Sequence, residues 1–250
     1  HRRQSHRIRK RPGSCRVGHI LCRILDAYGC DVIAYDVVDK TMPGTRLKAF
    51  INSNDDNAAD KTKALTHGRG ADKVIITAAA NTNQPMDLAA AIARDRGIIC
   101  MIGVTQMNID RRPYYERELS FRIARSYGAG RYDSTYEQKG IDYPIGYVRF
   151  TEGRNIEEFV RLIAQKRADF ADLITHEIPF ENAADAYEMI TKNPNHERYI
   201  GVLLKYSDNQ EKWRETVENQ AAKKTAGGDR IRLGLIGAGN FVRSTMLPVM

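Results

Sequence analysis

Gly13 and Gly18 stand five residues apart with Arg16 and Val17 between them, and Gly237 and Gly239 repeat the theme near the other end of the chain. Glycines at such spacing let a strand turn sharply into a helix. The unpaired N–H groups and the positive end of the helix dipole then meet at one point, which suits a phosphate. The first turn, Gly13-Ser-Cys-Arg-Val-Gly18, has Cys15 where a second glycine would stand, so a side chain crowds the place the phosphate would take. In the second turn, Val242 stands in the place of a third glycine.

A single acid gives the first turn its context. Asp36 closes an apolar run 18 residues beyond Gly18, where a carboxylate accepts hydrogen bonds from the adenosine ribose hydroxyls of a dinucleotide and repels a 2′-phosphate. NAD is therefore expected over NADP. The alternative role for Asp36 is to cap the turn that follows it. Thr77 and Ala78 close one later apolar run, and Gly103 and Val104 close another. Small residues there would let a nicotinamide ribose lie against the backbone, or would serve ordinary strand-to-helix turns.

These residues need a frame, and the apolar patterning supplies one. Val17, Ile20, Leu21, Ile24 and Leu25 recur at helical spacing before Gly29. Asp31–Asp36, Lys73–Ala78 and Gly97–Gly103 are short, continuous and β-branched, as strands buried on both faces are, while 58–67 and 86–94 read as helices between them. Repeated βαβ units predict an α/β fold, a Rossmann-type doubly wound parallel sheet. Residues 111–147 are charged and tyrosine-rich, a loop with a short strand. Helices are expected at 155–165 and 180–191, and a strand at 200–206.

The expected domains are a tail without structure of its own at 1–12, a dinucleotide-binding domain at 13–125 and the last part of a catalytic domain at 126–206. A polar linker follows at 207–229, and 230–250 is the start of a second Rossmann unit.

Charge and composition exclude several classes. The net charge is +8, but Arg2, Arg3, Arg7, Arg9, Lys10 and Arg11 supply six of it in one terminal run without hydrophobic periodicity, which argues against nucleic-acid binding. No apolar run is long enough to span a membrane and none resembles a secretory signal, so a cytoplasmic protein is expected. Cys15, Cys22, Cys30 and Cys100 form no C-x-x-C pair and read as buried thiols. His19, His67, His176 and His196 are scattered and read as turn or surface residues, so no metal site is expected in this chain. Tyr127, Tyr132, Tyr136, Tyr143 and Tyr147 either line a polar substrate cleft, with Arg131 holding an anion, or form a packing surface against another domain.

Taken in order, the first glycine turn, Val32-Ile-Ala-Tyr-Asp36, Gly68-Arg-Gly-Ala-Asp72 and Ile76-Thr-Ala-Ala resemble the zinc-type medium-chain alcohol dehydrogenases. Ile174-Thr-His-Glu-Ile-Pro-Phe-Glu-Asn-Ala-Ala-Asp-Ala-Tyr-Glu188 and Gly201-Val-Leu-Leu resemble the segment that closes their catalytic domain, and Ile236-Gly-Ala-Gly-Asn-Phe241 resembles the start of a Gfo/Idh/MocA-type dehydrogenase. The resemblance implies a fragment of an NAD-dependent bi-domain oxidoreductase acting on the CH–OH group of an alcohol, sugar or polyol. The zinc and its ligands would belong to the complete enzyme and the fragment would not turn over. A non-catalytic nucleotide-binding or assembly module is the alternative, and association into a homo-oligomer is left open.

Overall fold

The computed structural model describes residues 16–38, 44–195, 197, 199–207, 237, 239 and 242–249. Two compact units divide the chain, His1–Tyr206 and Ser207–Met250. Gly13 and Cys15 of the first glycine turn, His196, and the strand expected from Ile231 lie outside the described residues.

The first unit is built from parallel βαβ steps. Helix α1 (Arg16–Ala27) leads into strand β1 (Ile33–Asp36), which pairs in parallel with β2 (Ala49–Asn52). Helix α2 (Ala58–Leu65) follows, and then β3 (Ala71–Ile76), α3 (Gln84–Ile92) and β4 (Ala93–Met101). A short helix α4 (Arg111–Glu116), whose first turn is capped by the Asp110 carboxylate accepting from Arg112 N at 3.0 Å, delivers β5 (Ser120–Ile123). Strands β3, β4 and β5 are parallel neighbours in that order. Beyond them come α5 (Ser134–Glu137), α6 (Glu152–Ala164), β6 (Ile174–Pro179), α7 (Ala183–Thr191) and β7 (Gly201–Lys205), with β6 and β7 paired in parallel.

This is an α/β fold with parallel strands, as the patterning predicts. The ladder differs from one continuous sheet: β1 pairs with β2, β4 pairs with β3 on one side and β5 on the other, and the two ladders share no hydrogen-bonded strand among the described residues.

The core sits where α3 covers the three-stranded ladder. Ile76, Met86, Ala89, Ala90, Ala93, Ile99 and Met101 form it, with Tyr114, Leu119 and Phe121 packed against the edge. Ile99 is wholly buried. The alanine-rich face of α3 brings its backbone close to the sheet, and the larger strand residues fill the space.

Several expectations are corrected. The strands are not buried throughout: Asp72 and Lys73 of β3 and Asp95 and Arg96 of β4 are exposed, because both strands extend in their N-terminal direction past the apolar run, and β3 ends at Ile76 rather than Ala78. Strands β2 and β6, which are short or polar on alternate residues, went unread. Helix α1 buries His19 and Arg23 rather than its apolar stripe, which stays half-covered, and Val17 is exposed. His19 is thus no surface histidine. Among the thiols, Cys30 is exposed and Cys22 and Cys100 are half-buried, since they lie on or beside elements covered on one side only.

In the second unit, Gly237 has a φ of 80° and Gly239 N donates to Gly237 O at 2.6 Å, a tight turn. The residues Val242–Met246 form a π-helical turn and Leu247–Val249 a 3-10 turn. No helix among the described residues is long and apolar enough to cross a membrane.

Candidate functional site

Because β3, β4 and β5 run parallel, their carboxyl ends share one rim, the place where open α/β sheets bind ligands. Thr77 and Ala78 leave β3 at that rim, and Gly103 and Val104 leave β4 beside them. The structure joins the two pairs. Ile102 N and Gly103 N both donate to Ile76 O at 2.9 Å, Val104 N donates to Ala78 O at 3.0 Å, and Ala80 N donates to Val104 O at 2.9 Å. A Cβ at position 103 would lie 2.0 Å from Ala78 O and 2.8 Å from the Thr77 carbonyl carbon, so only glycine permits this crossing.

The loop beyond the rim is fastened. Asn83 Oδ1 accepts from Asn108 N at 2.9 Å, and Asn83 Nδ2 donates to Asn108 O at 3.0 Å and to Asp87 Oδ1 at 2.6 Å. Val104, which is 77 % exposed, and Met107 and Ile109 present apolar surface along this loop. A flat apolar ring would find a surface there that is held in place before it arrives.

Asp36 ends β1, half-buried. Its Oδ1 accepts from Val38 N at 3.4 Å, and its carbonyl accepts from Ser53 N at 2.9 Å. The carboxylate therefore stands at a strand's carboxyl end, as a ribose-binding acid must, while also touching the turn after it. Arg16, Val17 and Gly18 are the first described residues of α1. Gly237 and Gly239 belong to the second unit and are exposed.

Past β5 the chain makes a cleft of about 610 Å³ lined by Ala124, Arg125, Gly128–Asp133 and Tyr143. Gly128 and Gly130 have φ of 97° and 108°, and a Cβ on either would collide with Asn155 Nδ2 or the Tyr136 ring. Bonds from the neighbouring helices hold this loop. Asn155 Nδ2 donates to Tyr127 O at 2.9 Å, Ala129 pairs with the wholly buried Thr151, and Thr151 caps α6. Tyr136 and Tyr143 stack with centroids 5.8 Å apart. The Tyr143 hydroxyl donates to Asp133 Oδ2, which holds that carboxyl below its ordinary range, helped by the Thr135 N–H, and raises Tyr143 in turn.

The tyrosine group thus divides. Tyr136 and Tyr143 pack, Tyr147 is exposed, and Tyr127 and Tyr132 present their rings to arginines: Arg131 lies 5.0 and 4.6 Å from their centroids, and Arg125 lies 4.4 Å from that of Tyr132. Sequence reasoning named Arg131 and the tyrosines but missed Arg125 and Asp133. The glycine pair flanking Ala129, directly before Arg131, was the available signal.

A second cleft, lined by Lys63, Arg69, Arg94, Asp95 and Arg117, lies at the amino ends of β3 and β4. Arg117 is occupied there with the Ala90 and Ala93 carbonyls at 2.5 and 2.8 Å, closing the end of α3. It is a structural device on the far side from the rim. Among the described residues no group of three or more His, Cys, Asp or Glu converges as a metal site would require.

Comparison with known proteins bears on the fold. A family profile described as zinc-binding dehydrogenase matches residues 17–142. No curated protein sequence matches the chain. Among solved structures, galactitol-1-phosphate dehydrogenase from Escherichia coli is similar at 18 % identity and a TM-score of 0.55, over 75 % of this chain and 50 % of that one. A mycobacterial quinone oxidoreductase is similar at 17 % and 0.53, over 76 % and 53 %, and an NAD-dependent alcohol dehydrogenase at 15 % and 0.50, over 73 % and 46 %. At such identities the likeness establishes the fold. The chain spans about half the length of these proteins.

Proposed function

Since this chain belongs to the zinc-binding dehydrogenase family, we propose that it is the dinucleotide-binding part, with a closing catalytic segment, of an oxidoreductase that transfers hydride between NAD(H) and the CH–OH carbon of an alcohol, sugar or polyol. The observation that carries the reading is the joined rim of β3 and β4, where Gly103 lies so close to Ala78 that no side chain fits between the two strand ends. It falls inside the family match and at the end of the sheet where ligands bind.

The residues present fit the dinucleotide. Asp36 would accept the ribose hydroxyls and repel a 2′-phosphate. Gly13, Arg16, Val17 and Gly18 would lie along the pyrophosphate, as the glycine turn of the sequence implies. Thr77, Ala78, Gly103 and Val104 would lie along the nicotinamide ribose. The bound cofactor supplies a carbon that accepts or returns hydride; this chain's part is to bind it, orient it and cover one face from water. The described residues do not fit a zinc ion, so no step here is routed through a metal, and the chain alone is expected to bind without turnover. The Gly237–Gly239 turn is part of the same proposal, as the start of a second dinucleotide-type unit similar to the Gfo/Idh/MocA dehydrogenases.

Titration of the protein with NADH and NADPH, followed by energy transfer to the reduced nicotinamide, tests the reading. Saturable NADH binding with markedly weaker NADPH binding is expected. Failure of both to bind would sink it.

A further inference from the structure

We propose that the cleft beyond β5 is an oxyanion subsite, with Arg131 and Arg125 as its cations, which takes the carboxylate or phosphate of a small polyol-like substrate whose carbinol carbon is presented to the adjoining rim. This deepens the oxidoreductase reading and rests on it.

Position is the first argument. Strand β5 is the parallel neighbour of β4, so Ala124 and Arg125 leave the sheet about 5 Å from the strand whose end carries Gly103 and Val104. The cleft and the rim therefore begin on adjacent strands, and the proposed ligand spans the two.

The second argument is the state of the polar groups. The lining carries Arg125, Arg131 and Asp133, and Arg131 is paired with Glu137 beside it. The Asp133 Oδ1 accepts from Thr135 N at 2.8 Å and its Oδ2 from the Tyr143 hydroxyl. Arg131 gives Nη1 to Glu137 at 2.6 Å, yet its Nε is buried and has no hydrogen-bond partner among the described residues. A buried donor left so is costly unless something supplies an acceptor. Arg125 stacks on Tyr132 and forms no ion pair among the described residues. What remains to be satisfied is thus donors, and the ligand that only accepts is an oxyanion.

Third, Tyr127 and Tyr132 are 60 % and 65 % exposed. Both rings lie against the guanidinium groups, with Arg131 5.0 and 4.6 Å from their centroids and Arg125 4.4 Å from that of Tyr132, and an arginine against an aromatic face keeps donors for a ligand.

The test uses the whole chain labelled with nitrogen-15 and follows the arginine Nε–H resonances, the Arg131 signal being assigned by its absence in Arg131→Gln. Three probes share a three-carbon frame: glycerol 3-phosphate, glycerate and glycerol. The Arg131 Nε signal should shift saturably with at least one of the anions and stay still with glycerol; which anion moves it distinguishes phosphate from carboxylate. Arg125→Gln should weaken that anion about tenfold, the loss of one charge-assisted hydrogen bond, and leave NADH affinity as it was. No shift with either anion, an equal shift with glycerol, or lost NADH affinity in Arg125→Gln would overturn the proposal. If Arg131→Gln does not fold, calorimetric affinities of the two anions and of glycerol for the wild type and for Arg125→Gln decide in the same way. Anion binding without NADH binding would keep the subsite and sink the dinucleotide reading, while NADH binding without anion binding would do the reverse.

Discussion

Arg23 of α1 and Asp172 of the 3-10 turn before β6 are 149 residues apart in sequence and form a two-pronged ion pair. Nη2 meets Oδ2 at 2.6 Å, Nη1 reaches both Oδ1 and the Asp169 carbonyl, and Nε donates to Thr45 Oγ1 at 3.3 Å. The arginine side chain is 3 % exposed and the aspartate 43 %. One side chain thereby ties the helix after the first glycine turn to the segment that carries β6, α7 and β7.

Asp172→Asn should destabilise the first unit by about 2 kcal/mol, less than a fully buried pair would lose, because the carboxylate keeps part of its water. Urea unfolding followed by circular dichroism measures it. Arg23 holds the Asp172 carboxyl below its usual range. The stabilisation is therefore complete above about pH 4, where an unfolded aspartate is ionised, and is lost as pH falls through the lower folded value. The variant should flatten that acid limb, and an unchanged limb would refute the pairing.

Glu158 accepts from Arg161 on its own helix and from the Tyr28 hydroxyl, and its pKa is lowered to about 2, with the Arg161 guanidinium as the main cause. Carbon-13 titration of the side chain should find a midpoint near that value, and Arg161→Gln should move it up toward the ordinary glutamate range. A midpoint already ordinary in the wild type would contradict the geometry. The bond's contribution is present above the ordinary range and lost on acidification through the lowered value.

Gly103→Ala places a methyl against Ala78 O. Overpacking of this kind costs about 1–3 kcal/mol, and here it also separates the two strand ends. Both the urea midpoint and NADH affinity should fall. Retained affinity at lowered stability would mean the rim does not hold the nicotinamide end.

Asp36→Ala should weaken NADH binding and narrow or abolish the preference over NADPH, as titration with each cofactor measures. Equal affinities for the two cofactors in the wild type would remove the role assigned to this acid.

Much of the frame was readable because parallel strands packed under helices are apolar and β-branched: Ile33–Asp36, Val74–Ile76 and Ile98–Met101 announce themselves, and α6 begins at a threonine cap before an amphipathic run. Strand β2 was hidden because its four residues, Ala49–Asn52, are too few to set a period, and β6 because Thr175, His176 and Glu177 interrupt its apolar residues. The burial of Arg23 was hidden for a different reason. Its partners come from residues 45, 169 and 172, and no local pattern records a contact made at that distance. The rim residues were legible as strand ends, but the cleft beyond β5 depends on Ala129 meeting Thr151 and on Asn155 reaching Tyr127, both outside any local window.

The three hydrogen bonds of the Asn83 amide, two of them to the backbone of Asn108, bear on the thermodynamics of association at the rim. A loop fastened at folding has already lost its conformational freedom, so a ligand that settles on Val104 does not incur that entropy again. Calorimetry should accordingly find a smaller entropic penalty for NADH in the wild type than in Asn83→Ala, where the loop must be ordered by the ligand itself. The asparagine thus acts on affinity without touching the ligand, by settling the disorder of the rim before the encounter.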